Sequence, residues 1–154
     1  MSEENIFERD LDQTVANHQT QTPLSFLAWA ASVYPDKAAV IHGDKSYTYA
    51  EFDTRCRRLA SALKGRGIGL GDTVAVMAPN SPPMLEAHYG VPMIGAVLNA
   101  LNFRLDGKSI AFILEHGEAS VLITDRELSP TIKQALDEIE HEIIVIDVDD
   151  PLVN

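Results

Sequence analysis

Four glycines at alternate positions, Gly65, Gly67, Gly69 and Gly71, are the first residues in this chain with a spacing that could serve chemistry. A glycine-rich turn that follows a strand and opens a helix aims backbone N–H groups and a helix N-terminus at a phosphate. Here the order is reversed. A helical stripe ends near Lys64 and a β-branched run begins near Thr73, so the glycines read as a left-handed helix cap followed by a turn at Gly71-Asp72. The five histidines, His18, His42, His88, His116 and His141, are scattered. None stands at metal-ligand spacing from another His, a Cys or a carboxylate, apart from ordinary helix neighbours such as Glu115-His116, and no metal site is expected. The single cysteine, Cys56, lies on an apolar helical stripe and reads as a small buried hydrophobe rather than a nucleophile.

Two further groups invite a ligand. Arg55, Arg57, Arg58, Lys64 and Arg66 form a local basic cluster, which reads as a solvated helix face or as a surface that docks another domain or an anion. In open α/β sheets, ligands bind beyond the carboxyl ends of the strands. Those positions are Pro79-Asn80-Ser81, Leu101-Asn102-Phe103-Arg104, Asp125-Arg126 and Asp147-Val148. Asn102-Phe103-Arg104 stands out because it offers an amide and a guanidinium on one loop, although a cap, loop-stapling or interface role for Arg104 is the simpler reading. No Ser/His/Asp constellation and no Walker-type loop occurs in the sequence. No catalytic, cofactor-binding or metal-ligating residue is therefore assigned.

The elements that would position these residues follow from hydrophobic period and turn chemistry. Residues 1–21 are polar and read as a flexible or docking arm. Thr22-Pro23 opens a helix carrying Leu24, Leu27, Ala28 and Ala31, which ends at Tyr34-Pro35. Ala38–His42 and Ser46–Tyr49, separated by Gly43-Asp44-Lys45, form a β-hairpin. Thr48 and Glu51 have the spacing of a capping box, and Phe52, Cys56, Leu59 and Leu63 make the apolar stripe of the next helix. Trp29, Phe26, Phe52 and Phe112 sit at helical spacings and are expected in the core.

From residue 73 the pattern becomes regular. Apolar runs begin near Thr73, Ala96, Ser120 and Ile143, at intervals of 23, 24 and 23 residues. Helical patterns lie between them, with expected caps at Ser81-Pro82, at Asp106 or Ser109, and at Ser129-Pro130. Strand and helix alternating at this period predict βαβ units, a largely parallel sheet and, with right-handed crossovers, a doubly wound α/β fold. The runs are nearly continuously apolar, as strands covered on both faces should be. A chain stopping on a strand and a polar stub, Asp147–Asn154, is expected to be cut rather than finished.

Composition bounds the function. The 154 residues carry 12 basic and 23 acidic side chains, a formal net charge of −11, and that field disfavours nucleic-acid binding. One cysteine rules out an intrachain disulfide. The N-terminus lacks the basic and apolar regions of a signal peptide, and the most apolar stretch, Gly90 to Leu101, is too short to span a bilayer. A cytoplasmic, soluble protein is expected.

Several ordered segments resemble the opening of the AMP-forming acyl-CoA synthetases, of the adenylate-forming superfamily. They are Lys37–Val40 with Ser46–Phe52, Gly67–Val76, Pro79-Asn80-Ser81 and Gly90–Asn99. Leu101–Leu105 with Ile110–His116 is similar to the fatty-acyl-CoA ligase branch. The resemblance covers about residues 22–148. It implies a two-step reaction in which a carboxylate attacks the α-phosphate of ATP to give an acyl-adenylate, and coenzyme A then displaces AMP, with Mg²⁺ offsetting phosphate charge. The family's Ser/Thr/Gly-rich phosphate loop, nucleotide motifs and catalytic lysine have no matching position in this chain. The resemblance therefore implies that residues 22–154 are the N-terminal subdomain of an AMP-binding domain, truncated at its C-terminal end. ATP, Mg²⁺ and coenzyme A would belong to the full-length enzyme, with a carboxylic (fatty) acid as substrate. The chain alone is expected to be inactive, to partner the missing downstream subdomains, and to be open to homo-oligomer formation. A free-standing α/β binding or interaction module is the alternative. A receiver-like signalling domain shares the βα period but lacks the acidic pair after the first strand of the series.

Overall fold

The computed structural model of the chain describes Asp12 and residues 14–148. Most of the expected arm and the last six residues lie outside the described residues. The order is α1 (Pro23–Val33), a hairpin of β1 (Ala38–His42) and β2 (Lys45–Thr48), α2 (Tyr49–Lys64), β3 (Thr73–Met77), α3 (Pro82–Gly90), β4 (Val97–Ala100), α4 (Gly107–His116), β5 (Ala119–Asp125), α5 (Ser129–Leu136) and β6 (Ile144–Val148).

Local chemistry accounts for most boundaries. Thr22 caps α1 and trades hydrogen bonds with Ser25 in a capping box. Thr48 and Glu51 do the same for α2: the Glu51 carboxylate accepts from the Thr48 N–H at 2.8 Å and the Thr48 hydroxyl accepts from the Glu51 N–H at 3.3 Å. The end of α2 corrects one expectation. Gly65 stays right-handed at φ −63°, and the left-handed residue is Gly67 at φ +86°. The Ile68 N–H reaches the Leu63 carbonyl and the Gly67 N–H reaches that of Lys64, the two bonds of a Schellman motif. Ile68 and Leu63 share one apolar cluster, which supplies the contact that accompanies this motif.

Two other caps also differ. Ser81 occupies the N-cap of α3, but its side chain makes no capping bond. Pro83 at the second helical position has no N–H to offer it. Ser129 is the first residue of α5 rather than its cap, and its hydroxyl donates back to the Arg126 carbonyl. Asp106, not Ser109, caps α4; its carboxylate accepts from the Ser109 N–H at 2.9 Å.

The hairpin is antiparallel, and the larger sheet is parallel throughout with the order β4-β3-β5-β6. Helices cover both faces, as the doubly wound reading requires. Alternation along the strands sends Val74, Val76, Val121 and Ile123 toward Leu63, Ala87 and Val91 on one face. Ala75, Met77 and Leu122 pack on Ile110, Leu114, Ile132 and Ala135 on the other. Leu63, Ile110, Leu114 and Leu122 are fully buried, each stabilising the fold by roughly 1.5–3 kcal/mol. The expectation of strands covered on both faces holds for β3 and β5 only. The outer strands β4 and β6 are half-exposed, because each has a neighbour on one side alone.

A third cluster, Leu27, Phe52 and Cys56, joins α1 to α2 and the hairpin. The aromatic expectation holds for Phe52, which is buried, and fails for Phe26, Trp29 and Phe112, at 59%, 56% and 67% exposure. Helical spacing shows that residues share a face; it does not show which face is covered.

Candidate functional site

The strand order reverses between β3 and β5: the chain leaves β3 for β4 on one side and crosses back to lay β5 on the other. Open α/β sheets bind ligands at such a switch point, beyond the carboxyl ends of the strands. The residues there are Pro79-Asn80-Ser81 after β3 and Asp125 at the end of β5. Asp125 is 3% exposed; one carboxylate oxygen accepts from the Glu127 N–H at 3.0 Å, and the other is buried without a partner among the described residues.

Asn80 and Ser81 form one wall of a cavity of about 550 Å³. The opposite wall is Val40, Ile41 and His42 of β1, with Pro23 at the start of α1. The floor comes from α3, through Met84, Leu85, His88 and Tyr89. This size and apolar character fall in the range of small-molecule pockets. The Ser81 hydroxyl is buried beside it and has no hydrogen-bond partner among the described residues.

Three contacts hold the walls. Tyr89 meets the Phe52 ring edge-on at 5.4 Å between centroids. Glu86, buried on the inner face of α3, forms an ion pair with Arg55 of α2 at 2.5 Å. The Arg55 guanidinium also lies 4.5 Å from the centre of the Tyr47 ring on β2. One arginine thus ties the hairpin, α2 and α3 together.

The other expected positions resolve into structural roles. The glycine segment ends a helix and leads into a strand; the Gly69 N–H bonds to the Asp72 carboxylate at 2.7 Å and the Gly71 N–H to the Gly95 carbonyl at 3.1 Å. Its N–H groups are turned into a turn and do not fit a phosphate. Among the described residues no group of three or more His, Cys, Asp or Glu side chains could hold a metal ion. No catalytic step is assigned to the described residues. Asn102 accepts from the Arg104 N–H at 3.0 Å, a local loop staple, while the Arg104 guanidinium is exposed over Phe103. The basic cluster is divided: Arg55 binds Glu86, Arg57 binds Asp53 at 2.6 Å, and Arg66 donates to the Ala62 carbonyl at 3.1 Å. Cys56 is fully buried, and its thiol is pushed up to about 12 by burial and then by the nearby Glu86 and Asp53 carboxylates.

Two groupings escaped the sequence reading. His42 and His88, 46 positions apart, line the same cavity. Glu115 is an ordinary sequence neighbour of His116, but its partner is His141, at 3.1 Å, while His116 stacks on Phe112. The other ring nitrogen of His141 lies 3.0 Å from the Ala119 carbonyl. Both nitrogens face acceptors, so only the doubly protonated ring satisfies both. That carbonyl first, and then Glu115, raise the pKa of His141; the Glu140 N–H first, and then His141, lower that of Glu115. A lone carboxylate on an apolar helix, such as Glu86 in PPMLEAHYG, was the one available signal for the Arg55 contact.

The sequence model of a family described as "AMP-binding enzyme" matches residues 27–154. The chain is 50% identical over 127 residues to a peroxisomal acetate/butyrate–CoA ligase of Arabidopsis thaliana, and 48% identical over 127 residues to an acetate–CoA ligase of Humulus lupulus. Each match covers 82% of this chain and 22% of the relative, so the chain spans about a fifth of the length of these curated relatives. Among solved structures, a Mycobacterium tuberculosis fatty acyl CoA synthetase superposes with a TM-score of 0.76 at 29% identity, over 80% of this chain and 26% of that one. The N-terminal domain of FACL13 from the same organism gives 0.75 at 30% identity, over 84% and 33%.

Proposed function

The chain belongs to the family of AMP-binding enzymes, and from that premise we propose that it is the N-terminal subdomain of an ATP-dependent, AMP-forming acyl-CoA ligase. The family match across residues 27–154 carries this reading, and the fold agrees with it. The whole protein would couple cleavage of ATP to AMP and pyrophosphate with thioester formation between a carboxylic acid and coenzyme A. The groups that hold ATP, Mg²⁺ and coenzyme A would lie outside these residues, since the glycine segment is a helix cap and turn. The acid is proposed to be short. Acetate, butyrate and 2-methylpropanoate are named for relatives at 42–50% identity and benzoate for another at 42%, while structures named for fatty acid or fatty acyl substrates stand at 28% and 29%.

In this reading residues 22–154 are the first layer of a larger domain, and residues 1–21 an arm. Among the described residues no helix is long and apolar enough to cross a membrane. The cytoplasm is the proposed location; a tagged protein collecting in peroxisomes, the compartment named for several relatives, would displace that proposal.

The test has two arms. ATP–pyrophosphate exchange by the 154-residue chain alone should be at background for every acid; measurable exchange refutes its inertness. The whole gene product should form thioesters from acetate and butyrate faster than from palmitate. No thioester from any acid refutes the ligase assignment, and a preference for palmitate refutes the short-acid assignment.

A further inference from the structure

We propose that His141 is a proton-operated clip: with its ring charged it pins the segment leading into the edge strand β6 to α4 and β5, and on losing a proton it lets that segment go. Nothing in this device depends on ATP, coenzyme A or the ligase reading.

Residues 137–143 join α5 to β6, and among the described residues β6 has β5 as its one neighbour in the sheet. Ile139 and Ile143 rest this segment on the apolar cluster that α4 and α5 share. The polar stretch between them is fastened at Glu140 and His141. Oε1 of Glu115, in the last turn of α4, accepts from the Glu140 N–H at 2.7 Å and faces Nδ1 of the His141 ring at 3.1 Å. Nε2 of the same ring lies 3.0 Å from the carbonyl oxygen of Ala119, the first residue of β5. One side chain thus bridges three segments that meet at a corner of the sheet.

Both contacts need a donor from the ring, and only the charged imidazolium has two. The neutral ring has one N–H and one lone pair. With the proton on Nε2, the Nδ1 lone pair faces a carboxylate; with the proton on Nδ1, the Nε2 lone pair faces a carbonyl. Either tautomer turns one attraction into a repulsion. The easiest relief is for Glu140 and His141 to lift off α4, since Glu140 and Glu142 on either side of the ring are already exposed.

The surrounding charges act in the same direction. Glu115 on α4, Glu118 in the turn before β5 and Glu142 on the segment itself line one groove with His141, and no Lys or Arg does so among the described residues. His116, the other titratable group at the end of α4, stacks on Phe112. The Ala119 carbonyl first, and then Glu115, raise the pKa of His141, while the Glu140 N–H first, and then His141, lower that of Glu115. The sign follows: the clip is closed below the raised histidine pKa and opens as pH rises through it.

The experiment is NMR of the full 154-residue chain from about pH 5.5 to 8.5, reading the His141 ring, the Glu140 amide shift, and solvent exchange of that amide corrected for its intrinsic rate. The ring should titrate above 6.5 and the Glu140 shift should follow the same midpoint. Exchange of the Glu140 amide should quicken about two- to fivefold across that midpoint, the loss expected of one exposed ion pair. Glu115→Gln should lower the ring midpoint and remove the pH dependence of exchange. His141→Gln, which has no titrating ring, should leave the Glu140 amide flat over the same range. A ring that titrates at or below 6.5, a Glu140 amide indifferent to the ring, or a response that persists in His141→Gln would each overturn the proposal. If Glu115→Gln fails to fold, the parent and His141→Gln still decide it.

Discussion

Gly90, the last residue of α3, packs directly against α2. A Cβ built there would lie 2.9 Å from the Cys56 carbonyl oxygen and 2.9 Å from Cδ2 of Leu59. The leucine can turn aside; the carbonyl belongs to the backbone of α2 and cannot move without moving the helix. Gly90→Ala therefore sets two effects against each other. Alanine gains roughly 1 kcal/mol of helix propensity over glycine. Forcing a methyl into a packed contact costs about 1–3 kcal/mol, and a fixed oxygen at 2.9 Å argues for the upper half of that range. A net destabilisation of about 1–2 kcal/mol follows, which for a chain of this length lowers Tm by about 2–8 °C. Gly69→Ala is the matched control. Its Cβ would meet nothing within 4 Å, and its φ lies outside the left-handed region. Loss of unfolded-state freedom should stabilise that variant by about 0.4–1 kcal/mol. Urea unfolding of both, with unchanged m-values, is the assay. If Gly90→Ala is as stabilising as Gly69→Ala, then α2 and α3 are not in steric contact at this point.

Three further outcomes follow from the same contacts. His141 titrates above its ordinary 6.5 and Glu115 below its ordinary 4.5, so the contribution of their contact is full between those values, fades as pH rises through the raised histidine pKa, and fades as pH falls through the depressed carboxylate pKa. The stability difference between the parent and His141→Gln should peak between pH 5 and 6.5 and shrink above neutrality; a difference flat from pH 5 to 9 would count against the geometry, and high salt should reduce it because both groups are over a third exposed. Cys56, with its thiol near 12 against an ordinary 9.0, carries about a thousandfold less thiolate at pH 8, so a disulfide reagent should label it only after urea is added, and rapid native labelling would show the site to be open. Phe26, Trp29 and Ile41 are exposed at 59%, 56% and 76%, and the isolated chain should self-associate through such exposed apolar side chains; a clean monomer by size-exclusion chromatography at high concentration would refute this.

What could be read from the sequence was local. The N-cap at Thr22, the capping box of Thr48 and Glu51 and the hairpin turn each involve neighbours along the chain and appear as expected, except that Lys45 joins β2 rather than the turn and Tyr49 opens α2. The cap at Ser81 failed for an equally local reason, a second proline at position 83 whose missing N–H was overlooked. Strand order was illegible because it depends on which crossover passes over which strand. The cavity was half legible. Asn80 and Ser81 were singled out as strand-end residues, but the opposing wall comes from β1, nearly forty residues earlier, and only tertiary packing brings Val40 and His42 to it. The aromatic misreading has the same origin: Trp29 and Phe26 lie on α1, whose residues are apolar on most sides, so period alone could not choose the covered face.

The crossing back from β4 to β5 also has a consequence for how this polypeptide emerges from the ribosome. Both faces of the sheet need β5: Val121 and Ile123 complete one cluster, and Leu122 the other. Strand β3 is made roughly fifty residues before β5 is complete, which at cellular elongation rates is about 2–10 s. Throughout that interval Val74 and Val76 have a neighbour on one side at most, and the helix α4 has no finished surface to rest on. Assembly is therefore postponed and then abrupt, with the nascent chain holding a sticky half-sheet until a single late segment closes both sides at once.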